Sequence, residues 1–140
     1  MNTLSRPSLP DTLHSALVLL LLLLPLFVYG DAEVPKSIFL INEEDSVVAS
    51  NIQTGQFFEL DLQAKEKIIE QFVANGAALV VTNQRYVAIG IYPIGWSDLD
   101  RIAGEELVSA EVQDYAALVV TTDRILSFNG KIGSWSQTKR

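Results

Sequence analysis

The sequence AALVVT occurs twice in this chain, as residues 77–82 and again as residues 116–121. The difference of 39 in numbering between the two copies, which we call the repeat offset, also relates Arg85 to Arg124, and the alignment needs no gap. A continuous apolar stretch rich in β-branched residues is typical of a strand that is covered on both faces. The repeat therefore predicts units of the same β structure that pack side by side.

A third and weaker copy of the unit precedes these two. Trp96 and Trp135 are separated by the repeat offset, and a further step of the same size towards the N-terminus reaches Phe57. Leu40 corresponds in the same way to Leu79. Repeats that share one apolar pattern cannot bury it alone and stack on their neighbours. The sequence therefore predicts a single β-repeat domain over residues 33–140, built from three units at about 37–62, 63–101 and 102–140.

The last unit gives the clearest strand pattern. Residues 107–113 alternate between apolar and polar, which predicts a strand with one buried face that carries Val108, Ala110 and Val112. A short turn at 122–123 follows the second strand, and Asn129-Gly130 is a hairpin turn signal because both residues tolerate positive φ. A fourth strand is expected at residues 134–138. Each full unit is therefore predicted to be a four-stranded antiparallel meander.

The middle unit contains a conflicting signal. Residues 64–74 precede Asn75-Gly76 and have the apolar spacing of a short helix that ends at a glycine. Their counterparts in the last unit alternate as a strand does. Equivalent positions in stacked repeats share one conformation, so we predict a strand in the middle unit as well.

The first unit is expected to be incomplete. Residues 38–42, 47–52 and 57–62 have strand character, and the strand that would precede them falls at about residues 27–36. Pro35 lies in that stretch, and proline cannot donate to the ladder of a central strand. We therefore predict two full four-stranded units and one unit of three strands.

This meander resembles a known repeat. An apolar second strand, a tight turn and a tryptophan that enters the last strand resemble the blade of a β-propeller, most closely the kelch-type and related bacterial blade repeats. The resemblance rests on Leu118 to Thr121, Ile125-Leu126, Asn129-Gly130 and Trp135, together with their partners in the middle unit. It implies an all-β, propeller-blade-like fold. Three such units also resemble a β-trefoil, common among secreted lectins, in which three units close on themselves, whereas propeller rings usually hold four to eight blades.

Residues 1–32 have the features of a signal peptide. About a dozen apolar residues suit the central region of a signal and are fewer than the roughly 20 that a spanning helix needs. Gly30 and Ala32 provide the small residues for cleavage after Ala32, with cleavage after Gly30 as the alternative. Arg6 makes the first segment only weakly basic, which leaves an uncleaved membrane anchor as a second alternative. We expect a secreted or periplasmic protein.

Composition excludes several functions. The only histidine, His14, lies in the predicted signal, and the chain has no cysteine, so Ser-His and Cys-His nucleophiles and the usual zinc sites are absent from the predicted domain. From residue 33 onwards nine basic and fifteen acidic residues give a net charge of about −6, which disfavours nucleic acid and anionic lipid. We predict a protein that is not an enzyme, uses no cofactor or metal, binds no nucleic acid and has no stable membrane insertion after signal removal.

Five side chains at equivalent positions of the repeat are candidate binding residues: Phe57, Trp96, Trp135, Arg85 and Arg124. The three aromatic side chains could form platforms that stack on sugars, or they could fill the core between units. The two arginines could pair with an acidic ligand. Alternatively, each could hold a hairpin or bridge to a carboxylate such as Asp98 or Glu111.

The predicted function is an exported, non-enzymatic binding or interaction module built from β-propeller-like repeats, with a glycan or a protein as ligand. The alternatives are a secreted β-trefoil-like glycan-binding protein and a structural propeller fragment. The outer units would leave apolar faces without a neighbour, and repeat arrays need polar caps to stay apart in water. Self-association is therefore expected, with a dimer of six units in all as the favoured state.

Overall fold

The computed structural model describes residues 33–92 and 95–140, which form eleven strands in three antiparallel sheets. Unit 1 contains β1 to β3, unit 2 contains β4 to β7, and unit 3 contains β8 to β11. The strands are β1 Ile38–Asn42, β2 Ser46–Asn51, β3 Gln56–Asp61, β4 Ile68–Val73, β5 Ala77–Thr82, β6 Arg85–Gly90, β7 Ser97–Asp100, β8 Leu107–Gln113, β9 Ala116–Thr121, β10 Arg124–Asn129 and β11 Ser134–Lys139. Residues 33–140 form one compact unit.

Each sheet is a meander in which every strand pairs with its neighbour in sequence. The first residues of β1, β5 and β9 are separated by the repeat offset, as are those of β2, β6 and β10, so the structure follows the frame of the sequence repeat. This confirms the predicted all-β fold of blade-like repeats. The three sheets are separate and open, so the β-trefoil alternative, in which the units close on one another, is wrong.

The first strand of units 2 and 3 carries a β-bulge at the same place. The register shifts between Ile68 and Glu70 in β4, and between Leu107 and Ser109 in β8. The segment with a helix-like pattern is therefore a strand, as the repeat predicted. The expected alternation in β8 is wrong at one position, because the bulge turns Val108 outward and leaves it 53% exposed.

The core lies between the sheets, with unit 2 in the middle. All residues of β5 and β6 are buried. Alternate residues of β5 pack in opposite directions, Leu79 and Val81 in the cluster shared with unit 3, and Ala78 and Val80 in the clusters shared with unit 1. In β9 the residues that alternate with the buried ones remain partly or fully exposed, so the prediction that this second AALVVT strand is covered on both faces is wrong.

The turn after β10 differs from the expected two-residue hairpin. It covers residues 130–133, and the residue with positive φ is Gly133, at 71°. Gly130 is required for another reason. Its N–H donates to the carbonyl of Tyr115 at 2.6 Å, and a Cβ at position 130 would lie 2.6 Å from that oxygen. This glycine therefore permits the close approach of two chain segments.

The predicted signal peptide at residues 1–32 lies outside the described residues. Residues 33–36, the described part of the stretch in which a first strand of unit 1 was expected, form no strand. Neither residues 33–92 nor residues 95–140 contain a helix that is long and apolar enough to cross a membrane.

Candidate functional site

A carboxylate, a threonine hydroxyl and an arginine form the same buried cluster twice. The first cluster consists of Glu66, Thr82 and Arg85, and the second contains their counterparts one repeat later, Glu105, Thr121 and Arg124. Each glutamate lies in the connection between two units, and each threonine and arginine flank the turn between the second and third strands of the later unit. We call these clusters the inter-unit latches.

The first latch joins unit 1 to unit 2. The Thr82 hydroxyl accepts the backbone N–H of Arg85 at 2.9 Å and that of Gln84 at 3.1 Å, and it donates to Glu66 Oε1 at 2.7 Å. Arg85 donates from Nε to Glu66 Oε1 at 2.9 Å and from Nη2 to Oε2 at 3.1 Å. The same Nη2 donates to the carbonyl of Asp61, at the end of β3, at 2.9 Å. The guanidinium of Arg85 thus links the β5–β6 hairpin to the segment between β3 and β4 and to the sheet of unit 1.

The second latch has the same geometry between units 2 and 3. Arg124 donates from Nε to Glu105 Oε1 at 2.7 Å and from Nη2 to Oε2 at 3.2 Å, and the Thr121 hydroxyl donates to Oε1 at 2.7 Å. Arg124 Nη2 also donates to the carbonyl of Asp100, at the end of β7, at 2.7 Å. Its Nη1 donates to Gln137 Oε1 on β11 at 2.6 Å.

The two latch carboxylates are held in the ionised state. Both side chains are 0% exposed. Burial alone would raise the pKa of Glu105, but hydrogen bonds from Arg124, Thr121 and the Ile102 N–H, with the charge of Arg124, outweigh burial and lower the pKa to about 2. The pKa of Glu66 is lowered by the same balance of burial against hydrogen bonds and charge. A carboxylate in this state is a poor general acid, and its geometry serves to join units.

The latch glutamates were not among the residues that the sequence singled out. Arg85 Nη1 does lie 3.5 Å from Asp98 Oδ2, but its closer partner is Glu66. Arg124 pairs with Glu105, so Glu111 was the wrong partner to expect; Glu111 lies on an exposed position of β8. The signal that could have found these glutamates is their spacing, because the repeat offset separates Glu66 from Glu105 as it separates the two arginines.

The two tryptophans lie at equivalent places between units. Trp96 donates its indole N–H to the carbonyl of Phe58 on β3 at 3.0 Å, and Trp135 donates to the carbonyl of Ser97 on β7 at 3.1 Å. Each therefore reaches back to the last strand of the preceding unit. The third equivalent residue, Phe57, is 68% exposed on unit 1. The five candidate residues therefore do not converge on one site.

Unit 1 has an outer face that corresponds to a buried face of the other units. Its side chains alternate along β1 and lie opposite one another across β2 and β3, and we call this set the head face: Phe39, Ile41, Val48, Ser50 and Phe57. Their counterparts in unit 2 point towards unit 1, and those at positions 78, 80, 87 and 89 are fully buried. In unit 1, Phe39 is 39% and Ile41 is 45% exposed.

Unit 3 has a second such outer face on the opposite side of the sheet. It consists of alternate residues of β9 and the residues beside them on β10, and we call it the tail face: Ala116, Leu118, Val120, Ile125 and Ser127. Their counterparts in unit 2 are fully buried against unit 3: Ala77, Leu79, Val81, Tyr86 and Ala88. The fold and its exposed faces thus define a stack of open, blade-like sheets with an uncovered face at each end of its described part.

No family model matches this chain, and a search of curated proteins also finds no match. Among the solved structures that resemble it, two do so over about three quarters of its length. One is a protein of unknown function from Bacteroides caccae, with 22% identity over 75% of this chain and 41% of that chain, at a TM-score of 0.42. The other is the N-terminal domain of Nup159, with 17% identity over 76% of this chain and 31% of that chain, at a TM-score of 0.37. This chain thus spans less than half the length of either.

Proposed function

We propose that this chain is an exported, non-enzymatic interaction module whose stacked sheets bind a protein partner through the outer units. The observation that carries this proposal is the head face, where Phe39, Ile41 and Phe57 are exposed at positions that units 2 and 3 use to pack against a neighbour. Exposed apolar patches of this kind mark interaction surfaces. The signal-like character of residues 1–32 supports the proposed export.

The state of the latches supports a non-enzymatic role. The buried carboxylates of Glu66 and Glu105 are engaged by arginine, threonine and backbone donors, and their pKa values are lowered. Catalytic acids and bases instead have pKa values close to the working pH. These groups are therefore suited to holding the stack together.

A protein partner fits better than the glycan alternative. The indole N–H groups of Trp96 and Trp135 are bonded to backbone carbonyls between the units, which leaves Phe57 as the exposed member of the aromatic set. The exposed rings of Phe57 and Phe39, together with Ile41, form an apolar surface of the kind that another apolar sheet face can cover.

The interaction can be tested in living cells with a photo-crosslinking amino acid. We expect discrete adducts when the probe replaces Phe57 on the head face or Ser127 on the tail face, and the cross-linked peptide should be identified by mass spectrometry. Ile69 on β4 is the matched control, because it is exposed to a similar degree as Ile41 but belongs to the middle unit. If neither face gives a specific adduct, the proposed function is wrong.

Export is tested separately by the intact mass of the protein outside the cytoplasm. The exported form should begin at Glu33, or at Asp31 for the alternative cleavage. A full-length species that stays in the membrane fraction would contradict cleavage and would favour the uncleaved anchor.

A further inference from the structure

We propose that the partner is a second copy of this chain, docked head to tail, so that the tail face of each copy covers the head face of the other. The inference rests on the proposed function and names the partner of the same two faces. It uses the two internal interfaces as a template, because their equivalent positions can be carried over to the outer faces in the frame of the repeat.

The first pair of positions shows a compensating exchange of size. Between units 1 and 2, the large Ile38 shares a buried cluster with the small Ala78. Between units 2 and 3, the counterparts Ala77 and Ala117 are both small and buried. In the proposed dimer the counterparts would be Ala116 on the tail face and Phe39 on the head face. The large residue of the pair lies on the preceding unit between units 1 and 2 and on the following unit in the proposed dimer. One large and one small side chain can fill the space at this position in both cases.

The next two pairs of positions remain apolar at every interface. In one, a leucine packs with a β-branched residue of the next unit: Leu40 with Val80, Leu79 with Val119 and, in the dimer, Leu118 with Ile41. In the other, the two residues of each internal pair belong to one buried cluster: Val47 with Val87 and Tyr86 with Leu126. The corresponding pair in the dimer would be Ile125 with Val48. These pairs would bury the exposed apolar side chains of both faces.

The fourth pair becomes polar on both faces at once. Its internal examples are apolar: Ala49 with Ile89 and Ala88 with Phe128. The counterparts in the dimer are Ser127 on the tail face and Ser50 on the head face, which belong to the two outermost sheets of the described chain. The hydroxyls of Ser127 and Ser50 can hydrogen-bond to each other, so the two faces are complementary at this pair of positions. A buried serine hydroxyl opposite isoleucine or phenylalanine would have no hydrogen-bond partner.

Charge adds to the match at the edges of the two faces. Lys36 lies beside the head face, with Nζ 4.5 Å from the centre of the Phe39 ring. Glu111 lies beside Leu118 on the tail face, at the position that Phe72 occupies in unit 2. The opposite charges of Lys36 and Glu111 favour the head-to-tail register. Glu59, which lies opposite Val48 on the same side of unit 1, has the same sign as Glu111, so the charge match is confined to the rim beside Phe39.

The proposed interface lacks the polar bonds of the internal ones. Ser46 occupies the position of Arg85, and Phe57 occupies the position of Trp96, so neither the arginine bond nor the indole bond to the preceding unit can form there. The association should therefore be reversible. Two copies contribute six units, an ordinary number for a closed ring, and a two-fold arrangement ends with the dimer.

Sedimentation equilibrium of the purified protein at micromolar concentrations tests the proposal, with the N-terminus defined by intact mass. We expect the mass of two chains. Ile41→Glu on the head face and Ser127→Glu on the tail face should each raise the dissociation constant about tenfold or more, because each places a charge in the interface. Ile69→Glu is the control and should leave the association unchanged. Ser127 is exposed, so its replacement leaves no cavity, and circular dichroism confirms that each variant is folded.

A mixture of the two face variants separates head-to-tail docking from other modes. The intact tail face of Ile41→Glu can bind the intact head face of Ser127→Glu, so the mixture should associate more tightly than either variant alone. A symmetric head-to-head or tail-to-tail contact would show no such recovery. A single-chain mass throughout, or a dimer that both face variants leave unchanged, overturns the proposal. A single-chain mass together with a specific adduct to another protein at position 57 overturns this inference and leaves the proposed function standing.

Discussion

Replacing Glu105 with glutamine tests the latch directly. The buried carboxylate accepts hydrogen bonds from Arg124, Thr121 and the Ile102 N–H. Glutamine keeps the shape but leaves the guanidinium of Arg124 buried without its counter-ion, and loss of one partner of a buried ion pair costs about 3–5 kcal/mol. A fall in the pKa of Glu105 from 4.5 to about 2 corresponds to on the order of 3 kcal/mol. We expect Glu105→Gln to lower the free energy of unfolding by roughly 3 kcal/mol at neutral pH, measured by urea denaturation.

The pH dependence of the stability lost in Glu105→Gln identifies the cause of the loss. Folding lowers the pKa of Glu105, so the contribution of the carboxylate is complete above the unfolded value of 4.5 and is lost as the pH falls through about 2. The difference in the free energy of unfolding between wild type and Glu105→Gln should therefore narrow between those two values. The carboxylate of Glu66 titrates in both proteins and cancels in this difference.

Glu106→Gln is the matched control, because Glu106 is adjacent in sequence and less buried than Glu105. This change should alter the free energy of unfolding by no more than about 0.5 kcal/mol. If the two glutamine variants unfold alike at neutral pH, the latch does not stabilise the stack. If the difference in the free energy of unfolding between wild type and Glu105→Gln stays constant on acidification, lost packing and not lost charge explains the effect.

Two further changes test the contacts between units. Trp135→Phe should lower the free energy of unfolding by about 1 kcal/mol through loss of the indole bond to Ser97, and Trp135→Ala by about 3–5 kcal/mol, both from urea denaturation; a Trp135→Phe variant as stable as the wild type would contradict a role for the bond. Gly130→Ala should lower the melting temperature more than Gly104→Ala does, because the new Cβ would lie 2.6 Å from the carbonyl oxygen of Tyr115, whereas at position 104 no atom lies within 4 Å and the cost is that of the positive φ of 82° alone, about 1–2 kcal/mol. Equal melting temperatures would contradict the close approach.

The sequence was sufficient to predict the strands and their order. Comparison of residues 64–74 with their counterparts correctly replaced a helix-like pattern with a strand, because the repeat carries tertiary information that local propensity lacks. The bulge could not be predicted, since Ile69 and Val108 are apolar at positions where the alternation assigns them a buried face. A bulge shifts the register by one residue and reverses the side on which a residue lies.

The latches were harder to predict than the fold. Glu66 and Glu105 lie in polar connections between units, and a glutamate in such a segment is usually solvated. What buries them is the stacking of sheets on either side, which places an arginine from the following hairpin over the connection. The position of the tryptophans was easier to predict, because a large aromatic side chain that recurs at the same position of stacked repeats is most readily buried between the units.

The environment of a repeated position depends on whether a neighbouring unit covers it. The residues AALVVT are the same in β5 and β9, yet β5 is buried on both faces and β9 is exposed on one. Where unit 2 has Phe72 and Ala88 on that face, unit 3 has Glu111 and Ser127. These two changes make the tail face more polar than an internal interface and less polar than a surface that never meets another sheet, because Leu118, Val120 and Ile125 remain. A face of this intermediate composition suits an interface that forms and dissociates, in which each partner must also be soluble alone.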